Sequence, residues 1–222
     1  MADQSPGDRD TTVAVAHTSA PAADTEEAHD TALVVAHEIF GVNDHITVVA
    51  DALRRYRCDV FTPDFRPVPK AFGRAEEPAA YEDFMRNLGV EPMGRALARY
   101  AAELRPRYRR VLGVGYSVGA TATWLAAGTG ALDRTVCFYG SRIRDHLDVQ
   151  PHGGCLLVIA EHEVSFSGAE FAARVAGRPG VTAELHACEH GFCDPDSPHH
   201  SPEHSAAAWR SAVDFLGLSG GR

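Results

Sequence analysis

The sequence predicts an α/β fold in which a mostly parallel sheet is covered by helices on both faces. Short apolar runs alternate with longer amphipathic segments along most of the 222 residues, as strands and helices do in such folds. The apolar runs are continuous, which is typical of strands buried on both faces. The length suits a single domain, for which we expect residues 11–222, preceded by a flexible N-terminus over residues 1–10.

Seven runs rich in valine, isoleucine or leucine are predicted strands. They are TVAVAH (12–17), ALVVAH (32–37), DVFTP (59–63), RVLGVG (110–115), TVCFYG (135–140), CLLVIA (155–160) and TAELHA (182–187). Five other segments have apolar residues at helical spacing. They are 43–56, 80–104 with a break near Gly89 and Pro92, 117–127, 168–176 and 203–216. Segment 64–80 is predicted to be a long loop that either shapes a substrate entrance or is a plain surface connection.

Composition excludes several classes of function. The formal net charge is -9, and nothing resembles a basic groove for nucleic acid or a surface that anionic membranes would attract. No run approaches a membrane span and the N-terminus has no secretory signal, so we expect a cytoplasmic protein. The five cysteines form no CxxC pair, which indicates a reducing compartment without a disulfide framework. Monomer and homodimer are both left open.

The motif Gly115-Tyr116-Ser117-Val118-Gly119 is the strongest functional signal. It follows a predicted strand and opens a predicted helix, which is the setting of the nucleophile elbow in α/β-hydrolases. The turn is so tight that residues flanking the serine must be small, and the hydroxyl of Ser117 is then exposed at the carboxyl edge of the sheet. The backbone N–H of Val118 would face a developing oxyanion. The alternative is a glycine-rich turn that only packs a helix on the sheet.

A serine nucleophile needs a base, and in this fold the chain order is nucleophile, acid, histidine. His190 is the predicted base because it follows the last predicted strand and precedes Gly191, whereas His186 lies within that strand and is expected to be structural. The acid should follow the strand CLLVIA, where Glu161 and Glu163 are the candidates. Glu163 is preferred because the acid usually lies a few residues beyond the strand end.

The segment after the strand ALVVAH should complete the oxyanion hole with a backbone N–H, for which Ile39 is the candidate. With these residues in place, the chain resembles the dienelactone hydrolase family. HEIFGVN (37–43), TPDF (62–65), GYSVGA (115–120) and HGF (190–192) occur in that family's order and spacing, over roughly residues 10–217. The resemblance implies a compact α/β-hydrolase without a large cap domain. It also implies a triad and oxyanion donors matching Ser117, Glu163, His190, Ile39 and Val118.

Three departures from the family affect the prediction. The family's dienelactone hydrolases carry cysteine where this chain has Ser117, and there the glutamate matching Glu38 helps to manage the thiol proton. Here Glu38 either makes local hydrogen bonds or positions a polar substrate group. The family acid is aspartate, and Glu163 takes its place. The two arginines that bind a substrate carboxylate fall on Glu77 and Asp194, which should repel one, so dienelactone is not the expected substrate.

Other residues are expected to contact the substrate. Arg142 or Arg86 could supply a different anchor for an anion, although each is more often a plain surface arginine. An apolar pocket with a few polar groups fits a small organic ester or lactone. The aromatic residues expected near it, with Phe84 better explained as core packing, are Phe40, Tyr81, Phe84, Tyr139 and Phe192.

Hydrolysis of a small ester or lactone through an acyl-serine intermediate is the leading hypothesis, and no metal or organic cofactor is expected because the protein supplies every group. Acyl transfer or cyclisation in a biosynthetic pathway would use the same intermediate. A non-catalytic binding protein on a hydrolase scaffold is a third possibility. Metal binding by His186, Glu189 and His190 is least favoured, because these residues share one strand end and loop.

Overall fold

The computed structural model describes residues 29–218, which include six strands in one sheet. The strands are β1 (Thr31–Ala36), β2 (Asp59–Phe61), β3 (Arg110–Tyr116), β4 (Arg134–Phe138), β5 (Gly154–His162) and β6 (Val181–Glu189). Their order is β2-β1-β3-β4-β5-β6, and every neighbouring pair is parallel. The predicted fold class is confirmed. The predicted strand 12–17 and the flexible terminus 1–10 lie outside the described residues.

The helices fall where the amphipathic segments predict them. They are α1 (Asp44–Leu53), α2 (Glu77–Asn87), α3 (Val90–Leu104), α4 (Val118–Ala127), α5 (Gly168–Val175) and α6 (Pro202–Leu216). Short 3₁₀ turns lie at Arg74–Glu76 and Ser141–Asp145. The side chain of Asn43 accepts a hydrogen bond of 3.2 Å from the backbone N–H of Ile46, which fixes the start of α1 as an N-cap.

The two faces of the sheet carry separate helical layers. In β1, Leu33 and Val35 belong to one apolar cluster with residues of α1 and α6, whereas Ala32, Val34 and Ala36 belong to another with residues of α3 and α4. All five side chains are fully buried. Alternate residues of a strand point to opposite faces, so the strand is apolar throughout because both faces are covered.

The run TAELHA forms part of β6, but the prediction that it is buried on both faces is wrong. Leu185 is 42 % exposed, and within β6 only His186 and Cys188 are buried. The reason is position, because β6 is the last strand of the described sheet and has a neighbouring strand on one side only. An edge strand at the rim of the helical layers is incompletely covered.

Segment 64–80 is a shorter loop than predicted. The 3₁₀ turn at Arg74–Glu76 leads directly into α2, and Pro78 lies in its first turn, where a missing N–H has little cost. The break between α2 and α3 falls at Gly89, whose φ is +77°. Pro92 does not interrupt a helix, because it lies within the first turn of α3.

The described residues contain no helix that is both long and apolar enough to cross a membrane. All five cysteines are unpaired, and the sulfur atoms of Cys137 and Cys155 lie 3.9 Å apart without a bond. Burial raises the pKa of the Cys58 thiol to about 12. The buried thiols therefore act as small apolar packing groups.

The carboxyl ends of the parallel strands meet at one edge of the sheet. From β1 the chain moves to β2 on one side and then crosses to β3 on the other, so a crevice forms beside the segments that follow β1 and β3. Ala36 of β1 is in register with Gly115 of β3. The segments 37–43 and 115–119, which carry the two most informative motifs, therefore converge at this crevice.

Candidate active site

Ser117 lies in a strained turn between β3 and α4. Its φ is +52°, in the left-handed region that residues other than glycine rarely adopt. A Cβ on Gly115 would lie 2.3 Å from the carbonyl oxygen of Gly119, and a Cβ on Gly119 would lie 2.4 Å from the carbonyl oxygens of Ala36 and His37. Both flanking positions therefore require glycine, and the turn has the geometry of a nucleophile elbow.

His190 joins Ser117 to Glu163 through both ring nitrogens. Its Nε2 lies 2.9 Å from Ser117 Oγ, and its Nδ1 lies 2.8 and 3.0 Å from the carboxylate oxygens of Glu163. An ionised carboxylate only accepts hydrogen bonds, so Nδ1 carries the proton and Nε2 can accept from the hydroxyl of Ser117. The structure thus brings together the three residues that the sequence selected for the triad.

Neighbouring strands place the histidine and the acid side by side. His190 directly follows β6, and Gly191, with φ +80°, turns the chain away from the sheet. Glu163 directly follows β5, where an isolated bridge between His162 and Ser167 closes the loop. The other acid candidate, Glu161, lies within β5. Contact with His190 therefore falls to the residue just beyond the strand end.

The imidazole of His190 lies in a field that favours its charged form. Burial acts against the charge, but the hydrogen bond and the charge of Glu163 outweigh burial and raise the pKa of His190 above its ordinary 6.5. Glu38 raises this pKa as well, and Arg74 lowers it. The ring of Tyr139 packs edge-on against the imidazole, with centroids 5.0 Å apart, and restricts its orientation.

Two backbone N–H groups lie at the ends of the strands that flank the crevice. Val118 is the first residue of α4, so its N–H has no partner within the helix. Ile39 follows β1 in a tight turn that is closed by a 3.1 Å hydrogen bond from the Gly41 N–H to the carbonyl of Glu38. These are the two residues that the sequence predicts as oxyanion donors, and that role stays a prediction.

A buried network supports the segment 37–42, which we call the oxyanion loop. His37 Nδ1 donates to the carbonyl of Glu38 at 2.7 Å. Arg66 donates through Nε and Nη2 to the two carboxylate oxygens of Asp64, at 3.0 and 2.8 Å. A Cβ on Gly41 would lie 1.7 Å from Arg66 Nη2, so this glycine lets the guanidinium pack against the loop. The loop therefore depends on an ion pair outside the triad.

A second group of charged side chains, the acid cluster, comprises Glu38, His45, Arg74 and Asp194. Arg74 donates to Asp194 Oδ2 through Nε at 2.8 Å and also through Nη2, which lies 3.7 Å from Glu38 Oε2. His45 Nδ1 lies 3.4 Å from Glu38 Oε2 and 3.9 Å from Asp194 Oδ2. Asp194, one of the two acidic positions expected to repel a substrate carboxylate, is therefore paired with Arg74.

Sequence reasoning did not select Arg74 or His45. Arg74 and Asp194 are 120 positions apart, and no local pattern links an arginine in a loop to a carboxylate beyond the last strand. His45 lies seven residues after Glu38, on the buried face of α1, where it fits an amphipathic helix without a special role.

Four of the predicted pocket aromatics are buried. Phe192, Tyr139 and Phe40 are 0 %, 1 % and 2 % exposed and belong to the core clusters, so the expectation that these rings line an open pocket is corrected. Tyr139 packs against the imidazole of His190, and Phe40 lies under Arg74, whose Cζ is 4.5 Å from the ring centroid. Phe84 packs in the core, as preferred from the sequence.

The remaining predicted contacts lie near the surface. Tyr81 is 47 % exposed, and its hydroxyl accepts a hydrogen bond of 3.2 Å from Arg142 Nη2. Arg86 is exposed and pairs with Glu82 one helical turn away, as a surface arginine does. Glu77 is exposed at the start of α2. Tyr81 and Arg142 therefore stay as candidates for substrate contact, and Arg86 does not.

Metal binding has one possible location within residues 29–218. Potential donor atoms lie within 4.8 Å of one another on Glu38, His45 and Asp194. A guanidinium already contacts both carboxylates, so the chain itself supplies the positive charge there. The hypothetical site that includes His190 is not formed, because both of its ring nitrogens are engaged by Ser117 and Glu163.

These features define the class of the protein. A parallel sheet whose strand order reverses at β1 and β3, with a serine on a strained turn beside a histidine and a carboxylate, is the arrangement of an α/β-hydrolase. Residues 19–219 match the dienelactone hydrolase family. The chain belongs to that family, as the resemblance predicted, and is a hydrolase of the α/β superfamily. The described residues include no large cap domain.

The chain is also similar to individual proteins. The uncharacterized protein YczH of Bacillus subtilis (strain 168) is 30 % identical over 167 residues, which are 74 % of this chain and 82 % of that protein. A dienelactone-hydrolase-like promiscuous phosphotriesterase from metagenomic libraries has a TM-score of 0.67 at 18 % identity, over 87 % of this chain and 88 % of its own. A serine hydrolase without a lid from Xanthomonas campestris has a TM-score of 0.56 at 18 % identity, over 89 % and 87 %. These two structures share the fold.

Proposed function

We propose that the protein is a serine hydrolase that cleaves a small, uncharged ester or lactone through an acyl-serine intermediate. The observation that carries this proposal is the unbroken line of hydrogen bonds from Ser117 through His190 to Glu163. A serine hydroxyl is unreactive by itself, and a neutral imidazole at 2.9 Å is the base that it requires.

The proposed first half-reaction forms the acyl-enzyme. Ser117 Oγ attacks the carbonyl carbon while its proton passes to His190 Nε2, and Glu163 stabilises the resulting imidazolium. The N–H groups of Ile39 and Val118 donate to the oxyanion. The imidazolium then gives its proton to the departing alkoxide, whose bond to carbon breaks.

The second half-reaction repeats these roles with water. His190 Nε2 takes a proton from a water molecule, whose oxygen attacks the acyl carbon. Collapse of the second oxyanion breaks the bond to Ser117 Oγ, which recovers its proton from His190, and the free acid leaves. Each step uses groups of this chain, and none requires a cofactor.

The role of Glu38 is proposed to be local. Its carboxylate faces His45 and Arg74 in the acid cluster, which supports internal hydrogen bonding over contact with a substrate group. A carboxylate is also far too weak a base to deprotonate a serine hydroxyl. The serine therefore depends on His190 alone for its activation.

The acid cluster favours an uncharged substrate. Glu38 and Asp194 are 2 % and 0 % exposed, and they share one guanidinium, that of Arg74. A carboxylate on the substrate would add a third negative charge where screening is weak. The exposed Glu77 adds a further one at the start of α2. Dienelactone carries a carboxylate, so it is not the proposed substrate.

Two esters of matched size test both parts of the proposal. Dimethyl succinate is uncharged, and monomethyl succinate differs by one carboxylate. We expect kcat/KM for the diester to exceed that for the monoester, and Ser117→Ala to lower turnover of either by several orders of magnitude. Equal turnover by Ser117→Ala would contradict the mechanism, and preference for the monoester would contradict the charge argument.

Product analysis separates hydrolysis from acyl transfer. A small hydroxyacyl thioester offers both fates to the same acyl-enzyme, because its own hydroxyl competes with water. Free acid as the main product supports the proposed hydrolysis. A lactone or a transferred ester as the main product would instead assign the acyl-enzyme to cyclisation or transfer.

A further inference from the structure

We propose that Arg74 is a positioning residue that fastens the segment 62–76 to the loop after His190 and offsets the charge of Glu38 beside the imidazole. The inference rests on the proposed role of His190 as the base. It assigns to Arg74 an electrostatic and mechanical task, not contact with the substrate.

The geometry places one guanidinium among three loops. Arg74 comes from the segment before α2 and holds Asp194, on the loop after β6, with two hydrogen bonds. A Cβ on Gly191 would lie only 3.6 Å from Arg74 Nη2, so the same loop passes directly beneath it. The guanidinium also covers the ring of Phe40 in the oxyanion loop. Its removal would therefore release the segment before α2 from the loop after β6 and from the oxyanion loop.

The burial of Asp194 indicates that its ion pair with Arg74 stabilises the structure. Asp194 is 0 % exposed, and its second oxygen, Oδ1, accepts a 2.9 Å hydrogen bond from the backbone N–H of Asp196. A buried carboxylate is stable only when it is paired and hydrogen-bonded. The Arg74 side chain is 22 % exposed, so its head group lies at the boundary between the buried cluster and solvent.

The groups around His190 explain the electrostatic role of Arg74, which is to offset the charge of Glu38. Several described residues act on the imidazole from different elements. Ser117 before α4, Tyr139 after β4 and Glu163 after β5 contact it directly. Glu38 after β1 and Arg74 before α2 act on it through their charges. Tyr139 is neutral, because burial raises its pKa. Glu38 favours imidazolium and Arg74 opposes it. A general base must be neutral before it can act, so Arg74 keeps Glu38 from holding a proton on His190.

The test is the pH dependence of fluorophosphonate labelling at Ser117, measured as a pseudo-first-order rate. In Arg74→Met we expect the acid limb to move to higher pH by about 0.5 to 1 unit, since a positive neighbour is lost. In Glu38→Gln we expect a shift of similar size to lower pH. The double variant should return close to the wild-type limb, because the two opposing charges are both absent.

Two variants separate this role from plain loss of structure. Arg74→Lys keeps the positive charge, so the labelling rate should fall on acidification at the same pH as in the wild type. The rate itself should be lower at every pH, because the two-point contact with Asp194 is weakened. Arg109→Met is the matched control, because Arg109 is exposed and pairs with Asp30 at the opposite end of β3. We expect it to change neither the rate nor the limb. If Arg74→Met is unstable, Arg74→Met combined with Asp194→Asn removes both partners of the buried pair.

A direct titration of the His190 imidazole tests the role of Arg74 independently of the proposed hydrolase activity. The imidazole pKa of His190 can be followed by NMR in a Ser117→Ala background, with and without Arg74→Met. A higher pKa in the Arg74 variant supports the inference even if the wild-type protein proves unreactive toward esters. An unchanged pKa, or a labelling rate that falls equally at every pH with the limb in place, would overturn it.

Discussion

Glu163 accepts the Nδ1 proton of His190 with both carboxylate oxygens, at 2.8 and 3.0 Å. The contact fixes the tautomer that leaves Nε2 directed at Ser117. The carboxylate side chain is only 6 % exposed, so solvent does not compete strongly for the proton. Glutamate, one methylene longer than the aspartate of the family, therefore reaches the imidazole in this chain.

Glu163→Gln should lower kcat by about 10³- to 10⁴-fold, because an amide can donate to Nδ1 and stabilise the wrong tautomer. Glu161→Gln is the matched control, since Glu161 lies two residues earlier within β5. We expect it to retain wild-type turnover of a small ester. Equal losses in the two variants would show that Glu163 is not the acid partner.

The pH profile of kcat/KM should fall on acidification with an apparent pKa above 6.5. The reason is the raised pKa of His190, whose imidazole accepts the serine proton only in its neutral form. Activity is therefore present above this pKa and is lost as the pH falls through it. A profile that stays flat down to pH 5 would rule out His190 as the base.

Gly119→Ala should abolish the elbow. The added methyl group would lie 2.4 Å from two backbone carbonyl oxygens, which cannot move independently of β1. We expect a loss of about 1–3 kcal/mol in the free energy of unfolding and a much larger loss of reactivity at Ser117. Gly73→Ala, where the nearest atom is 3.7 Å away, is the control for denaturation and labelling measurements. A stable, fully reactive Gly119→Ala would contradict the steric argument.

Arg66→Met should destabilise the protein by about 3–5 kcal/mol, because the buried carboxylate of Asp64 loses its guanidinium partner and keeps only His37 and two backbone N–H groups. Urea unfolding at pH 7 measures the loss. Arg86→Met removes an exposed arginine paired within α2, and it should change the free energy of unfolding by about 0.5 kcal/mol or less. If Arg66→Met loses no more stability than this control, the ion pair between Arg66 and Asp64 does not stabilise the oxyanion loop.

Local patterns predicted the fold well, and they selected the residues that come together at the candidate site. The six described strands coincide with predicted apolar runs, and the elbow was visible because steric limits demand Gly115 and Gly119 around Ser117. The order of strand ends along the chain also led to Glu163 and His190. The cytoplasmic location, the single domain and the choice between monomer and homodimer stay predictions.

Contacts between residues far apart in the chain could not be predicted from the sequence. The partnership of Arg74 with Asp194 depends on two loops that meet only after the sheet has formed, and neither residue lies in a periodic pattern. The burial of Phe192 was missed for a similar reason, since an aromatic ring beside a catalytic histidine can face either the pocket or the core. The exposure of β6 follows from strand order, which apolar runs do not encode.

The most direct test of the central claim is labelling of the native protein with a fluorophosphonate, followed by peptide mass spectrometry. We predict a single adduct on Ser117. In His190→Ala we expect the labelling rate to fall by about 10³-fold or more. An adduct on another residue, or an equal rate in the histidine variant, would contradict the account.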